Sequence, residues 1–427
     1  MKRRTLLSLM AAAPVSSVLT ACGGGSDSGV SLRLLNASAG YDSLDLYVDD
    51  DVEVSAVAFG EVSSFADTGG TDFTTTLKRA GSTTSLLAQT RSLDSGSDYT
   101  MVAYGWEGSL KSILITEDED DADSGEAKVN VLHTAPDAGS IDVYLTAEDD
   151  SLDDATPITS SLAGAASSAF SAVTAGSFRL RITAAGDTTD VRLDVTGLAL
   201  TSQQVATVVV TPGGGGVLVN ALLLVQGGAV TAFMNTQARV RVVAATTDNA
   251  VVSATADGAS LGATARSSTI GSYTLITAGT AVAVVVAVAG SSYTSSQAIA
   301  AGSDVTLLVY GEATAPLMQL LADDNRLPTD TTKFKIRLVH ALARLDANLT
   351  LTLDYSAVAS EVVYGTSSAF SSVTANSAAQ ITVTSALSST PLYSATDVSL
   401  VAKGIYTFFM MGAADASTLA GVLRMDR

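Results

Sequence analysis

"KVNVLHTAPDAGSIDVYLTA", Lys128–Ala147, holds two short runs of alternating apolar and polar residues on either side of a Pro-Asp turn. A period of two sets one side of each run against a core and the other toward solvent, as in a half-buried strand. The unit occurs three more times: "SLRLLNASAGYDSLDLYVDD" from Ser31, "RVRVVAATTDNAVVSATADG" from Arg239 and "KIRLVHALARLDANLTLTLD" from Lys335, the last with one extra residue in its turn. The starts lie about 100 residues apart. Such self-similarity marks a repeated structural unit.

The likeness continues downstream. "AFGEVSSF", "LAGAASSAF" and "VYGTSSAF" end on Phe65, Phe170 and Phe370 in copies one, two and four, and Tyr273 takes that place in copy three. Each copy closes with a hairpin-like pair opening on "YTMVAYG", "QVATVVV", "DVTLLVYG" or "IYTFFMMG". Each copy thus reads as six to eight short strands separated by Gly, Ser, Thr and Asp turns, with no stretch suited to a helical crossover. The pattern predicts an all-β chain of four tandem β-sandwich domains. Their expected bounds are 30–116, 127–234, 235–322 and 333–427, with an acidic linker at 117–126 and a second linker at 323–332. In copy four the alternation points Phe334, Ile336 and Leu338 inward and Lys335 and Arg337 outward; in copy two Val129 and Val131 point in, Lys128 and Asn130 out. One aromatic per copy is expected in each core. The polar linkers should be exposed. Val230, Phe233 and Met234 run straight toward Val240, so copies two and three should pack as one stiff body.

"VNVLHTAPDAGSIDVYL" resembles the opening of the domain of unknown function 4397 family, exported bacterial proteins that often carry tandem copies. His133, Ala135, Pro136, Asp137, Ala138, Asp142, Val143 and Tyr144 carry the resemblance. Copy one keeps Ala37, Asp45 and Tyr47 but has Asn36 at the His position. Copy four keeps His340 and Ala341, and copy three has Ala244 and retains Asp248. The resemblance implies immunoglobulin-like sandwiches and no established activity.

Residues 1–21 read as a signal peptide: a basic start at Lys2, Arg3 and Arg4, then an apolar run too short to span a membrane. Leu19-Thr20-Ala21-Cys22 resembles the lipobox of bacterial lipoproteins, in which the Cys is lipidated and becomes the new N-terminus. Cys22 is the sole cysteine. Cys22–Gly29 then form a lipidated residue and flexible tether. By resemblance to proteobacterial sorting rules, Gly23 favours the outer membrane.

The net charge is −20, which argues against nucleic acid as a partner. With one cysteine, no disulfide forms within the chain, so each domain rests on its own core. His133 and His340, the only histidines, fall at the same place in their repeats. One imidazole per domain without cysteine is a poor transition-metal site, and no G-x-S-x-G elbow accompanies them. They read as strand-end residues bonded to turn backbone, with Asn36 substituting in copy one. Pro136-Asp137 reads as turn chemistry, and "TPGGGGVL" (Thr211–Leu218) as a loose hairpin loop rather than a phosphate cradle. The calcium candidates are the linker carboxylates Glu117, Asp118, Asp120, Asp121 and Asp123; the competing reading is a solvated acidic face.

The sequence therefore leads to a lipid-anchored cell-envelope protein that displays or binds, with no catalytic residues and with the membrane, a glycan or another envelope protein as partner. The alternative is a metal-dependent or hydrolytic envelope enzyme.

Overall fold

The computed structural model describes residues 29–415 and 418–427; the signal segment, Cys22 and the tether up to residue 28 lie outside them. The described residues form strands joined by turns, with a single 3-10 turn at Pro136–Ala138. The strands sort along the chain into eight sheets, two each for the segments 31–116, 126–233, 237–323 and 333–425. A separate apolar cluster fills each segment. The chain is a multi-domain β-sandwich protein.

The last sandwich gives the topology. Lys333–Ala343 lies between antiparallel Ser371–Thr374 and parallel Ile405–Ala413, which pairs in turn with Ala420–Met425. The facing sheet runs Ser356–Val362, Leu349–Leu353, Asn376–Ser385, Tyr393–Leu400. The same order recurs in the other three, with Val230–Phe233 added at one edge of the second. Pairing the first strand in parallel with the seventh differs from the immunoglobulin constant order, where the first strand pairs with the second.

Phe334, Ile336 and Leu338 fill the core as the alternation requires. The opposite face does not meet water: Arg337 is 1% exposed. The sheets that carry the first strand stack in pairs. Leu35, Ala37, Val102 and Tyr104 of the first sandwich meet Leu132, Val209, Leu222 and Leu224 of the second. Val243, Ala245, Leu308 and Leu321 of the third meet Val339, Ala341, Phe409 and Met411 of the fourth. Strands buried on both faces read as unbroken apolar runs, and Ile405–Ala413 is buried at every residue.

The apolar contacts therefore join sandwiches one to two and three to four, and the expectation that Val230, Phe233 and Met234 pack two against three is corrected. Val230 packs in the one–two contact, Phe233 packs on its own core, and Met234 is 46% exposed. The two connecting segments are not loose either: the Glu117 side chain is 2% exposed, and Ala122, Asp323 and Asn325 are buried.

Candidate functional site

The repeat motif closes turns. His133 Nδ1 accepts from the Ala135 N–H at 3.3 Å, and Nε2 bonds the Gly139 carbonyl at 2.8 Å. His340 does the same with the Leu342 N–H at 3.3 Å and the Ala347 carbonyl at 3.2 Å. Asn36 copies both contacts, accepting from the Ser38 N–H and donating to the Tyr41 carbonyl. Burial lowers the pKa of both imidazoles, so they stay neutral. With both ring nitrogens engaged, neither is free to act as a base or ligand. The motif aspartates are also structural. Asp142 accepts from the Ser161 and Gly186 N–H groups, and Asp45 from those of Ala56 and Gly81. These four donors all have positive φ, so each carboxylate fixes two left-handed positions.

The acidic candidates split. Glu117 is ion-paired with Arg33 at 2.5 Å and accepts from Thr100; Glu119, beside the remaining candidates Asp118, Asp120, Asp121 and Asp123, pairs with Lys128. No group of three or more His, Cys, Asp or Glu is placed to hold a metal ion among the described residues.

A second charged cluster is one that the alternation pattern alone did not reveal. Arg33, Arg241 and Arg337 occupy matching positions on the first strands, and each donates through Nε to a threonine on the parallel neighbour: Thr100, Thr306 and Thr407. Between the third and fourth sandwiches Arg337 pairs with Asp323, Arg241 pairs with Asp426, and Tyr273 and Thr306 each donate to Asp323 at 2.7 Å. Burial opposes ionisation of Asp323, but the Arg337 and Arg241 guanidiniums hold its pKa below the usual value. Phe65, Tyr273 and Phe370 lie over Arg33, Arg241 and Arg337 at 4.6, 4.9 and 4.7 Å. These aromatics cap the buried guanidiniums rather than fill the cores.

All four sandwiches approach one another around Asp137. Its Oδ2 accepts from the Trp106 indole N–H at 2.5 Å, and its Oδ1 from the Leu327 N–H at 2.9 Å. The Arg326 guanidinium lies 4.8 Å from the Trp106 ring centre. The glycine-rich segment 213–216 is wedged here instead of hanging loose. Gly215 donates to the Gly302 carbonyl at 2.8 Å and accepts from the Asn325 N–H at 3.1 Å. A Cβ on Gly215 would lie 2.6 Å from the Asp304 nitrogen, so only glycine fits. Arg427 reaches the Gly216 and Asn325 carbonyls from the fourth sandwich.

Beside this junction is a cavity of about 330 Å³. Tyr104, Trp106 and Lys111 line it from the first sandwich, Pro136, Asp137 and Pro212 from the second, Leu327, Pro328, Thr329 and Thr331 from the connecting segment and Lys403 from the fourth. It can hold a small polar molecule against rigid apolar walls. The repeat motif marks Asp137 but not Trp106, Lys111 or Lys403, which share no motif and converge only through the stacking of sandwiches.

The site thus belongs to a tandem β-sandwich protein whose repeat motif maintains turns and junctions. Residues 30–144 match the family model described as Domain of unknown function (DUF4397), a match that ends at Tyr144, the last residue of the motif. No curated protein matches. Among solved structures, the Bacillus anthracis TIE protein is similar at 9% identity over 88% of this chain. The chain spans 66% of that protein's length, and the TM-score of 0.15 is too low for the likeness to carry an argument.

Proposed function

We propose that the chain is a lipid-anchored, non-catalytic binding and display protein of the bacterial cell envelope, held in the outer membrane through Cys22. The junction supports this reading best. The chain's one tryptophan and a buried aspartate fix three segments to each other, so the molecule presents a fixed surface. The engaged histidines favour binding over catalysis. Each sandwich is a building block of a rigid body, and the tether sets that body at a short distance from the membrane.

Detergent phase partitioning and cell fractionation test the anchor. Wild-type protein is expected in the detergent phase and the membrane fraction, and the Cys22→Ser variant in the soluble fraction. Wild-type protein in the aqueous phase would overturn the reading.

A further inference from the structure

The polar groups lining the Trp106 cavity divide into engaged and free. Asp137 is used by Trp106 and Leu327, Thr134 donates to the Val210 carbonyl, and Ser109 bonds the Trp106 carbonyl. The side chains of Lys111, Lys403, Thr329 and Thr331 make no hydrogen bond or ion pair among the described residues, yet come from three different parts of the chain. What remains free is therefore two ammonium groups, which only donate, and three hydroxyls, the third being that of Tyr104. Around them stand the flat faces of Trp106 and Tyr104, the rings of Pro136, Pro212 and Pro328, and Leu327. A matching ligand carries a negative charge, several hydroxyls and an apolar face of C–H groups. The long-range field of a −20 chain repels anions, but at physiological salt the Debye length is about 8 Å, and within the lining Lys111 and Lys403 outnumber the one carboxylate, Asp137, whose two oxygens are taken by the Trp106 and Leu327 N–H groups.

We propose that this cavity binds an anionic sugar residue, with Lys111 and Lys403 taking its carboxylate or phosphoryl group, Thr329 and Thr331 its hydroxyls, and Trp106 its apolar face. The proposal rests on the binding-module reading and names its ligand class. Enclosure among sandwiches one, two and four selects a single residue or a chain end over a flat polymer face. Lys111 and Lys403 are both exposed and line a wall whose remaining residues come from three sandwiches and a connecting segment, so ordering on binding falls mainly on their own side chains.

Trp106 is the only tryptophan, so its fluorescence reports this cavity alone. The purified full-length protein is titrated with digalacturonate, its neutral methyl ester and galactose 6-phosphate. Saturable change with at least one of the two anions and none with the ester is expected, and the tighter anion identifies the charged group. Lys111→Ala and Lys403→Ala, both at exposed positions, should each weaken binding about tenfold, as for loss of one hydrogen bond to a charged group, with circular dichroism unchanged. The proposal is overturned by no saturable response to either anion, by equal binding of the ester, or by unchanged affinity in both folded lysine variants. None of these results alters the membrane partition of Cys22, so failure here is distinct from failure of the anchored-display reading.

Discussion

The Trp106 indole N–H donates to Asp137 Oδ2 at 2.5 Å while the other oxygen of Asp137 accepts from the Leu327 N–H at 2.9 Å. One carboxylate thus ties the first sandwich and the segment between the third and fourth to the second. An Asp137→Ala change deletes two hydrogen bonds to a charged acceptor, each worth about 1.5–3 kcal/mol. Asp137→Asn keeps one acceptor, for either Leu327 or Trp106, and sets its NH2 donor against the N–H of the other. Urea denaturation should rank wild type above Asn and Asn above Ala. Trp106 emission should shift to the red in Asp137→Ala, because the ring loses its anchor. Equal stability of wild type and Asp137→Ala would remove the junction as a source of rigidity.

The Arg337–Asp323 pair is the second cross-sandwich lock. Both side chains are 1% exposed or less. Removing one member of a buried pair leaves a charge without a partner, at a cost of about 3–5 kcal/mol, whereas replacing both with apolar groups is often neutral. Asp323→Leu should be strongly destabilising, and more so than Arg337→Met, because Asp323 also satisfies Thr306 and Tyr273. The double variant should recover part of the loss. A double variant no better than Asp323→Leu alone would mean that the packing, not the charge, sets the cost.

The strands and their sandwiches were legible because each copy buries one face with period two, as Phe334, Ile336 and Leu338 do. The stacking of sandwiches was not, because it depends on the other face. There the sequence shows a basic residue, Arg337, and alternation assigns it to solvent. The overlooked signal lies in the seventh strands. "YTFFMMG" and "VATVVV" are apolar at successive positions, and a strand with water on one side has no need of that. His133, His340 and Asn36 were legible as a set because they share a position and each offers one acceptor and one donor. Trp106, Lys111 and Lys403 were not, since they lie about 300 residues apart at the extremes and meet only through tertiary stacking.

Limited proteolysis distinguishes this architecture from beads on flexible linkers. The segments 117–126 and 323–332 contain buried residues and should resist early cleavage. Tyr355 is 89% exposed at a hairpin tip and Leu387 67% exposed in a turn. Brief digestion with a nonspecific protease should cut around one or both of these first, releasing no central 127–322 fragment. Early appearance of that fragment would mean that the paired sandwiches separate in solution.

The histidines set an acid limb. The folded-state pKa of His340 lies below its ordinary 6.5 because burial disfavours the cation. The unfolded chain therefore takes up the proton first, so this contribution is full above about pH 6.5 and is lost as pH falls toward the depressed folded value. Asn36 shows that asparagine satisfies the same two backbone groups. His340→Asn should keep most of the stability at pH 8 and lose less than wild type between pH 7 and 5. The melting temperatures of the two proteins across that range are the measurement, and parallel curves would exclude the buried imidazole as the titrating group.

Asp304 acts with the opposite sign. Burial raises its pKa from 3.8 to about 6, and the Arg239 guanidinium and Asn325 amide only partly offset it. Its oxygens accept from Arg239 Nε at 2.9 Å and from Asn325 Nδ2 at 2.7 Å, with the Gly215 loop packed against it. The folded state holds the proton more tightly than the unfolded chain. Asp304 therefore favours folding most below pH 3.8, and that contribution is lost as pH rises through about 6. The span is on the order of 2–3 kcal/mol. An Asp304→Asn variant has no proton to exchange here. The stability of wild type minus that of the variant should fall between pH 4 and 7 and level off above it. Because the His340 effect runs the other way, the comparison is made in the His340→Asn background, where only Asp304 is varied. A difference that rises with pH would show that the Arg239 ion pair, rather than burial, governs this carboxyl.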